Sequence, residues 1–304
     1  MSGDHDKHPA FDNALSHLEE ASDRVNQRAG RDLAAAIAAG LGLGAGVIVT
    51  LCLVDKAWFM LFGGLFLLGT CCVELALAFR HRNLRVPLTT VVATVVATIP
   101  AAFYFGPLWA WVTIALGFVL TVIVQAILTT RPSWSGTSLR GSIVAAAFTL
   151  AYVLGLGSFS IALVALPEGQ WWALSMLILT TSADIGAFAA GVLFGKHPMA
   201  PRISPKKTWE GFLGAVVAVS IAGTLIALLT IHEPIWVGLL LGVLVLMTAT
   251  AGDLFESQLK RWIGIKDISR WLAGHGGFLD RLDSVLPSGV VVYAVYVVLA
   301  ALNV

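Results

Sequence analysis

The stretch that decides the fold runs from Ile235 to Asp283 and reads IWVGLLLGVLVLMTATAGDLFESQLKRWIGIKDISRWLAGHGGFLDRLD. Its first 20 residues, up to Leu254, are almost entirely apolar, whereas Ser257 to Asp283 carries three acids, five bases and a histidine. About 20 apolar residues in a helix cross roughly 30 Å of hydrocarbon. Each charged group near a bilayer costs roughly 2.5 to 3.5 kcal/mol on insertion scales. The stretch therefore predicts a transmembrane helix followed by a functional loop at the membrane surface.

The rest of the chain has the same apolar character. Hydrophobic residues make up 58% of the 304 residues, charged residues only 12%, and the mean hydropathy is +0.85. A soluble domain cannot bury so large an apolar fraction. We predict an all-α polytopic membrane protein with about nine transmembrane helices and a tight turn at Gly106-Pro107. The predicted spans are 33–54, 57–79, 86–105, 108–129, 141–165, 171–195, 211–231, 235–254 and 285–304.

The positions of the basic residues orient these spans. With nine spans and a cytoplasmic N-terminus, 18 of the 19 lysines and arginines fall on the cytoplasmic side, and only Lys56 lies outside. Such segregation follows the positive-inside rule, and one missed helix would destroy it. We therefore expect an integral protein of the cell membrane with a cytoplasmic N-terminus and with its charged loops facing the cytoplasm.

Two regions follow from this pattern. Residues 1–31 form a polar cytoplasmic tail without a signal peptide, in which Phe11, Leu15, Leu18 and Val25 have the spacing of an interfacial amphipathic helix. A solvated tail without a helix is the alternative. Residues 32–304 form the transmembrane domain, with its motifs concentrated in 184–284. The three cysteines all fall in predicted spans, which indicates packing rather than disulfides or zinc.

The first polar motif in the spans is Asp184, within TTSADIGAFAAGVLFGK. Phe188, Gly191 and Gly195 follow it on one helical face, and such small residues allow close approach of a backbone or a ligand. An acid inside a span is a functional candidate. The alternative is a structural acid satisfied by a neighbouring helix.

The second motif is SPKKTWEG, residues 204–211. A turn bounded by proline places Lys206 and Lys207, with the hydroxyls of Ser204 and Thr208, just before a helix. The amides and the positive dipole end of that helix would add to the lysines and favour phosphate binding. The motif lacks the glycine run of a Walker A loop. Taken alone, the two lysines are also explained as ordinary positive-inside charges.

The third motif combines carboxylates from the end of the eighth span and from the loop after it. Asp253 and Ser257 share a helical face at i and i+4, and Asp280 and Asp283 share another at i and i+3. Oxygen ligands without paired histidines or cysteines are typical of Mg²⁺ sites rather than zinc sites. We therefore predict that Asp253, Asp280 and Asp283 converge on a hard cation.

Two glycines, a histidine and a second-span glutamate stand beside this motif or near it. Gly276 and Gly277 permit a tight backbone path or a close approach of substrate. A lone histidine is more often structural, but His275 beside two glycines in a charged loop is interpreted as part of the site. Glu74, near the cytoplasmic end of the second span, is interpreted chiefly as an acid that extends to the membrane surface, with a place in the cavity wall as the alternative.

The motifs together resemble a known family. The pattern S-x-L-K-R-x4-K-D-x-S-x2-L-x2-H-G-G-F-x-D-R-L-D at residues 257–283 resembles the signature of the phosphatidate cytidylyltransferases, the CDP-diacylglycerol synthases. The segments D-x2-A-F-x2-G-x2-F-G-K at residues 184–196 and SPKKTWEGF at 204–212 are similar to two further blocks of that family, in the same order. Two positions depart from its pattern. Ala273 stands where the family usually has Pro or Gly, and Phe188 stands where it usually has Tyr.

The resemblance implies transfer of a cytidylyl group from CTP to phosphatidic acid, with CDP-diacylglycerol and pyrophosphate as products. It also implies Mg²⁺, possibly a second cation, contact with membrane lipids and a homodimer, and no nucleic-acid partner. Asp253, Asp280 and Asp283 are then the metal ligands, with Asp184 a weaker fourth. The cationic candidates are Lys206 and Lys207 for the CTP phosphates, and Lys260, Arg261, Lys266 and Arg281 for pyrophosphate or the lipid headgroup.

Two other classes of protein stay open at this point. A CTP-dependent lipid kinase would use similar phosphate-binding elements but would release CDP. An ion-coupled transporter would also place acids such as Asp184 inside its spans, although transporters usually show repeat symmetry and paired broken helices.

Overall fold

The computed structural model describes residues 33–131, 134, 136–201, 204–272 and 276–302, and these residues fold into nine apolar helices and one short hairpin. The helices are α1 (Leu33–Ile48, continued by Val49–Leu53), α2 (Lys56–Arg82), α3 (Leu88–Phe105), α4 (Pro107–Leu128), α5 (Leu139–Ala165), α6 (Gly169–Phe194), α7 (Trp209–Leu229), α8 (Ile235–Ile263) and α9 (Leu279–Leu302). Eight of them, α2 to α9, are long and apolar enough to cross a membrane, and α1 contains a shorter apolar helix, Gly40–Leu53.

The predicted fold class, an all-α polytopic membrane protein, is therefore confirmed. The cytoplasmic position of the N-terminus stays a prediction. The predicted interfacial helix lies in residues 1–31, outside the described residues.

Most helix ends fall within a few residues of the predicted ones. The tight turn between α3 and α4 is confirmed: Gly106 has φ 84°, a value that favours glycine, and Pro107 begins α4. The main difference is α8, which continues nine residues past the predicted end at Leu254, to Ile263. This extension carries polar side chains that pair with one another and with α9, so the helix does not stop where its apolar run stops.

One segment is not helical, although the sequence analysis predicted only helices and a turn there. Strands β1 (Pro198–Ala200) and β2 (Ser204–Thr208) form an antiparallel hairpin, in which Pro198 pairs with Thr208 and Ala200 pairs with Ser204. Pro205 has no backbone N–H to donate, which disfavours a helix interior but is tolerated in an edge strand. The hairpin projects from the end of the bundle between α6 and α7.

The core lies where α2, α5 and α9 meet. Cys71 and Cys72 of α2 and Leu150 and Leu154 of α5 are each completely buried. The two cysteines are free thiols, as predicted from their place in an apolar span.

Helices α6 and α7 approach each other at glycines. A Cβ atom at Gly186 would lie 2.7 Å from the carbonyl oxygen of Gly214, and one at Gly214 would lie 2.6 Å from that of Gly186. Both distances are shorter than any real Cβ contact, so only glycine allows this spacing at either position. The close packing brings Asp184 on α6 towards the hairpin that precedes α7.

Candidate active site

The hairpin is anchored to the start of α7. The amide of Gly211 donates a hydrogen bond to Thr208 Oγ1 at 3.1 Å, so Thr208 caps the helix. Glu210 accepts hydrogen bonds from the amides of Lys196 and His197, at 3.1 and 3.2 Å, and pairs with the His197 ring. These contacts fix the strand that carries Lys207 relative to the helix that follows.

Lys207 joins the hairpin to α8. Its ammonium group forms an ion pair with Asp253, and both side chains are only about a third exposed, at 28% and 33%. Ser257 Oγ donates a weak hydrogen bond to Asp253 Oδ1 at 3.4 Å, as the predicted i, i+4 spacing requires. Two of the sequence motifs, SPKKT and the end of the eighth span, therefore meet at one point.

Asp280 organises the loop between α8 and α9. Its carboxylate accepts hydrogen bonds from Lys260 Nζ at 2.9 Å and from the amides of Gly277 at 2.7 Å and Ile268 at 3.1 Å. Gly276 has φ 79°, and a Cβ atom there would lie 2.8 Å from Asp280 Oδ2. The predicted need for glycine in this loop therefore has a specific cause, which is the close passage of the backbone over Asp280.

Lys260 bridges two carboxylates. It forms ion pairs with Asp280 and with Glu256, which lies one turn earlier on α8 and has a side chain with no exposed surface. The predicted role of Lys260, binding of pyrophosphate or a headgroup, stays a prediction. The observed contacts give this lysine a structural role as well, because it links the end of α8 to the loop before α9.

Glu74 is fully enclosed, with 1% of its surface exposed. Its carboxylate accepts hydrogen bonds from Ser269 Oγ at 2.5 Å and from the amides of Phe278 at 3.0 Å and Leu279 at 2.9 Å. The interpretation of Glu74 as an acid extending to the membrane surface is therefore wrong. An unpaired carboxylate in this position would be costly, and the loop donors remove that cost.

Two neighbouring cavities adjoin these residues. The first has a volume of about 230 Å³, and its polar wall is formed by Asp184, Lys207, Thr208 and Asp253. The second has a volume of about 550 Å³ and is lined at one end by Asp184, Asp280, Arg281 and Asp283. Its other walls are apolar side chains of α1, α2 and α6: Leu43, Val47, Ile48, Leu67, Leu174, Leu177 and Ile178. Asp184 lines both cavities, so the two spaces adjoin at this carboxylate.

Asp283 lies at the turn between the first four residues of α9 and the rest of that helix. Its Oδ1 accepts a hydrogen bond from the Ser284 amide at 2.6 Å. A Cβ atom at Gly252 would lie 2.4 Å from the Asp283 carbonyl oxygen, so α8 packs directly against this turn. Asp253, the next residue on α8, is thereby held near the turn that carries Asp283.

Several predicted site residues are not brought into the cavities. Arg261 and Lys266 are exposed and line neither of them. Ser204 stands at the far end of β2 from Thr208 and also lines neither. His275 and Ala273 lie outside the described residues, and the side chain of Lys206 is not described. Phe188 lines the first cavity and is 73% exposed.

The predicted metal site is not assembled in this arrangement. Within the described residues, no group of three or more His, Cys, Asp or Glu side chains is placed to hold a metal ion. Asp253 is paired with Lys207 and Asp280 with Lys260. The carboxylates at the two cavities still fit Mg²⁺ by chemistry, because it prefers hard oxygen ligands. The assignment of Asp253, Asp280 and Asp283 as metal ligands stays a prediction.

The structural partners of the loop lie outside the three sequence motifs or were not recognised within them. Glu74 and Glu256 each bury a carboxylate against it, and neither was assigned to the site. The available signal was the rarity of acids inside spans, which marks such residues as functional. Glu74 and its partner Ser269 are 195 residues apart, so spacing along the chain offered no way to pair them.

The fold and the site define a polytopic membrane protein in which a lysine of the hairpin pairs with a carboxylate of α8, beside a cavity lined by the carboxylates of α9. A model described as the Cytidylyltransferase family matches residues 34–299, and the chain belongs to that family. A phosphatidate cytidylyltransferase of Mycobacterium bovis is 38% identical over 279 residues, which cover 90% of each chain.

Other relatives carry the same name. A phosphatidate cytidylyltransferase of Mycobacterium leprae is 36% identical over 294 residues, covering 91% of this chain and 92% of the relative. One of Aquifex aeolicus is 46% identical over 112 residues, covering 37% of this chain and 42% of the relative. The family resemblance drawn from the motifs is confirmed.

Proposed function

We propose that the protein transfers the cytidylyl group of CTP to phosphatidic acid, forming CDP-diacylglycerol and pyrophosphate. The observation that carries this proposal is the pair of cavities that adjoin at Asp184. One is small, with Lys207, Asp184 and Asp253 set in an otherwise largely apolar wall, and the other is larger and mostly apolar. A reaction between a nucleotide and a lipid requires this combination. The similarity to phosphatidate cytidylyltransferases over nine-tenths of the chain supports the same function.

The first cavity suits the phosphates of CTP. Lys207 supplies a positive charge at the entrance of α7, where the helix amides also favour an anion. In the described arrangement this charge is paired with Asp253, so nucleotide phosphates would compete with that carboxylate for the lysine. The side chain of Phe188, which also lines this cavity, offers an aromatic surface but no hydroxyl.

The second cavity suits a lipid whose phosphate reaches the same point. Its apolar walls from α1 and α6 would contact acyl chains, and Arg281 and the neighbouring carboxylates stand at its polar end. A lipid entering from the bilayer would keep its tails in hydrocarbon and place its phosphate at the headgroup level. The cavity therefore favours phosphatidic acid over a water-soluble acceptor.

The chemistry needs charge neutralisation more than proton transfer. An oxygen of the lipid phosphate attacks the α-phosphorus of CTP in line, a new P–O bond forms, and the bond to the β-phosphate oxygen breaks to release pyrophosphate. The attacking phosphate is already ionised at neutral pH, so no general base is required. Lys207 and Arg281 reduce the repulsion between the two anions. Mg²⁺ held by Asp253, Asp280 and Asp283 would supply further positive charge beside the phosphates.

The membrane orientation is part of the proposal. The segregation of 18 of 19 basic residues supports an orientation with the hairpin and the loop before α9 on the cytoplasmic side of the cell membrane. CTP is available there and does not cross lipid. This orientation is consistent with a nucleotide-dependent enzyme. The reverse orientation would exclude the reaction, because the site would have no access to CTP.

The products distinguish the candidate classes. Purified full-length protein in detergent micelles is given phosphatidic acid and CTP labelled either at the α- or at the γ-phosphorus. Label from the α-position is expected in the lipid fraction and label from the γ-position in pyrophosphate. Label from the γ-position in the lipid would indicate a lipid kinase instead. Diacylglycerol in place of phosphatidic acid serves as the control acceptor and should give no labelled lipid.

A further inference from the structure

Glu74 connects the first half of the chain to the loop that leads into α9, where Asp280 and Asp283 lie. Its three donors, Ser269, Phe278 and Leu279, all lie in the segment between α8 and the start of α9. Glu74 itself lies on α2, which belongs to the buried core of the bundle. The carboxylate is thus a fixed point against which the loop is held.

The backbone at Gly277 passes very close to the Glu74 carboxylate. A Cβ atom at Gly277 would lie 2.9 and 3.0 Å from the two Glu74 oxygens and 3.0 Å from Ser269 Oγ. The loop therefore passes over the carboxylate at a glycine, as it passes over Asp280 at Gly276. Two enclosed carboxylates, Glu74 and Asp280, accept hydrogen bonds from three successive backbone amides, those of Gly277, Phe278 and Leu279.

The residues that follow are the ones assigned to the chemistry. Asp280 and Arg281 lie within three residues of the Phe278 amide, and Asp283 lies one turn further on. A shift of this loop would move all three side chains relative to Asp253 and Lys207, which lie on α8 and on the hairpin. Displacements of about 1 Å are enough to cost on the order of a hundredfold in rate.

We propose that Glu74 is a positioning residue for cytidylyl transfer. It sets the position of Asp280, Arg281 and Asp283 through the loop amides and through Ser269, without contacting substrate itself. This inference rests on the proposed function of those three residues. It assigns a role in the reaction to α2, a helix that none of the recognised motifs includes.

The test compares Glu74→Gln and Ser269→Ala with a matched control, Gln125→Met. Gln125 is also completely buried and donates a hydrogen bond to the Arg85 carbonyl at 2.8 Å, but it lines neither cavity. Each full-length variant is purified in detergent, its thermal unfolding is recorded, and turnover is expressed per folded molecule. Hydrogen–deuterium exchange is measured for peptides covering residues 269–282 and for α7.

We expect Glu74→Gln to lower turnover per folded molecule by about tenfold or more, the effect of losing a hydrogen bond to a charged group. The KM for CTP should stay within about twofold, because Lys207 is held by other contacts. Exchange should accelerate in 269–282 but not in α7. Ser269→Thr should recover most of the turnover that Ser269→Ala loses, because the hydroxyl is restored.

Two results would overturn the inference. One is unchanged exchange in residues 269–282 of Glu74→Gln. The other is an equal loss of turnover per folded molecule in Gln125→Met when its unfolding temperature falls by the same amount. A failure of the proposed function can be distinguished from both results. The wild-type protein would then form no CDP-diacylglycerol, while hydrogen–deuterium exchange would still show whether Glu74 holds the loop.

Discussion

Replacing Lys260 with methionine should destabilise the protein strongly, because one ammonium group serves two enclosed carboxylates. The Lys260 side chain is 18% exposed, and its partners Glu256 and Asp280 are 0% and 7% exposed. At the 2.9 Å separation of Lys260 and Asp280, the gross Coulomb attraction is about 6 kcal/mol with an effective dielectric of about 20. The cost of removing the two charged groups from water cancels much of this attraction. Removing one partner of such a pair typically costs about 3 to 5 kcal/mol.

The assay is thermal unfolding in detergent micelles, with a double-mutant cycle. Lys260→Met should lower the unfolding temperature by several degrees, and adding Glu256→Gln should raise it again, because the second change removes the enclosed carboxyl group that lost its partner. Lys266→Met is the control, because Lys266 is exposed and its loss should change the free energy of unfolding by less than about 0.5 kcal/mol. A stabilising role of Lys260 is refuted if Lys260→Met unfolds at the same temperature as the wild type. It is also refuted if the double variant is no more stable than Lys260→Met alone.

Three further predictions concern the site and its orientation. Lys207→Ala should raise the KM for CTP about tenfold or more and change the KM for phosphatidic acid little; an effect on the lipid alone would place the hairpin in the other half of the site. Asp253→Asn should reduce turnover below about 1% without loss of folded protein, and a near wild-type rate at saturating Mg²⁺ would exclude it as a metal ligand. Cysteine introduced at Glu168 should react with an impermeant maleimide in intact cells, whereas cysteine introduced at Lys266 should react only after the inner face is opened. The reverse pattern would show that the predicted topology is inverted. Labelling of the parent protein measures the background reaction of its own cysteines.

The long apolar helices and most of their limits could be predicted from the sequence because each rests on a local property. The first of the nine predicted spans is the exception, since its apolar helix, Gly40–Leu53, is shorter than the eight that are long enough to cross a membrane. An apolar run of about 20 residues has few alternatives in a membrane, and the Gly106-Pro107 pair both ends one helix and starts the next. The end of α8 could not be predicted in the same way. Its last turns contain Glu256 and Lys260, which are stable in a helix only because the loop before α9 covers them.

The site was predictable in part. The pairing of Asp253 with Ser257 is a consequence of helical geometry, and the structure confirms it. The pairing of Asp253 with Lys207 joins two motifs that lie 46 residues apart. Resemblance to a family suggested that these motifs work together, but no periodicity shows which charges meet.

The role of Glu74 was missed for a different reason. Its neighbours on α2 are apolar, and nothing local distinguishes a carboxylate that extends to the headgroups from one that accepts hydrogen bonds from a distant loop. The distinction depends on burial, which is a property of the assembled bundle. Acids in spans therefore indicate a site without indicating its partners.

The glycine contact between α6 and α7 has a consequence for how the first cavity can change shape. This cavity lies between these two helices and α8, and Gly186 and Gly214 hold the backbones of α6 and α7 close together beside it. Exchanging side chains at the wall would change its lining but would not bring the helices closer, and any larger residue at either glycine would force them apart. The lining of this cavity can therefore be altered through residues such as Phe188 and Thr208, whereas a wider cavity would require the two helices to move as a whole.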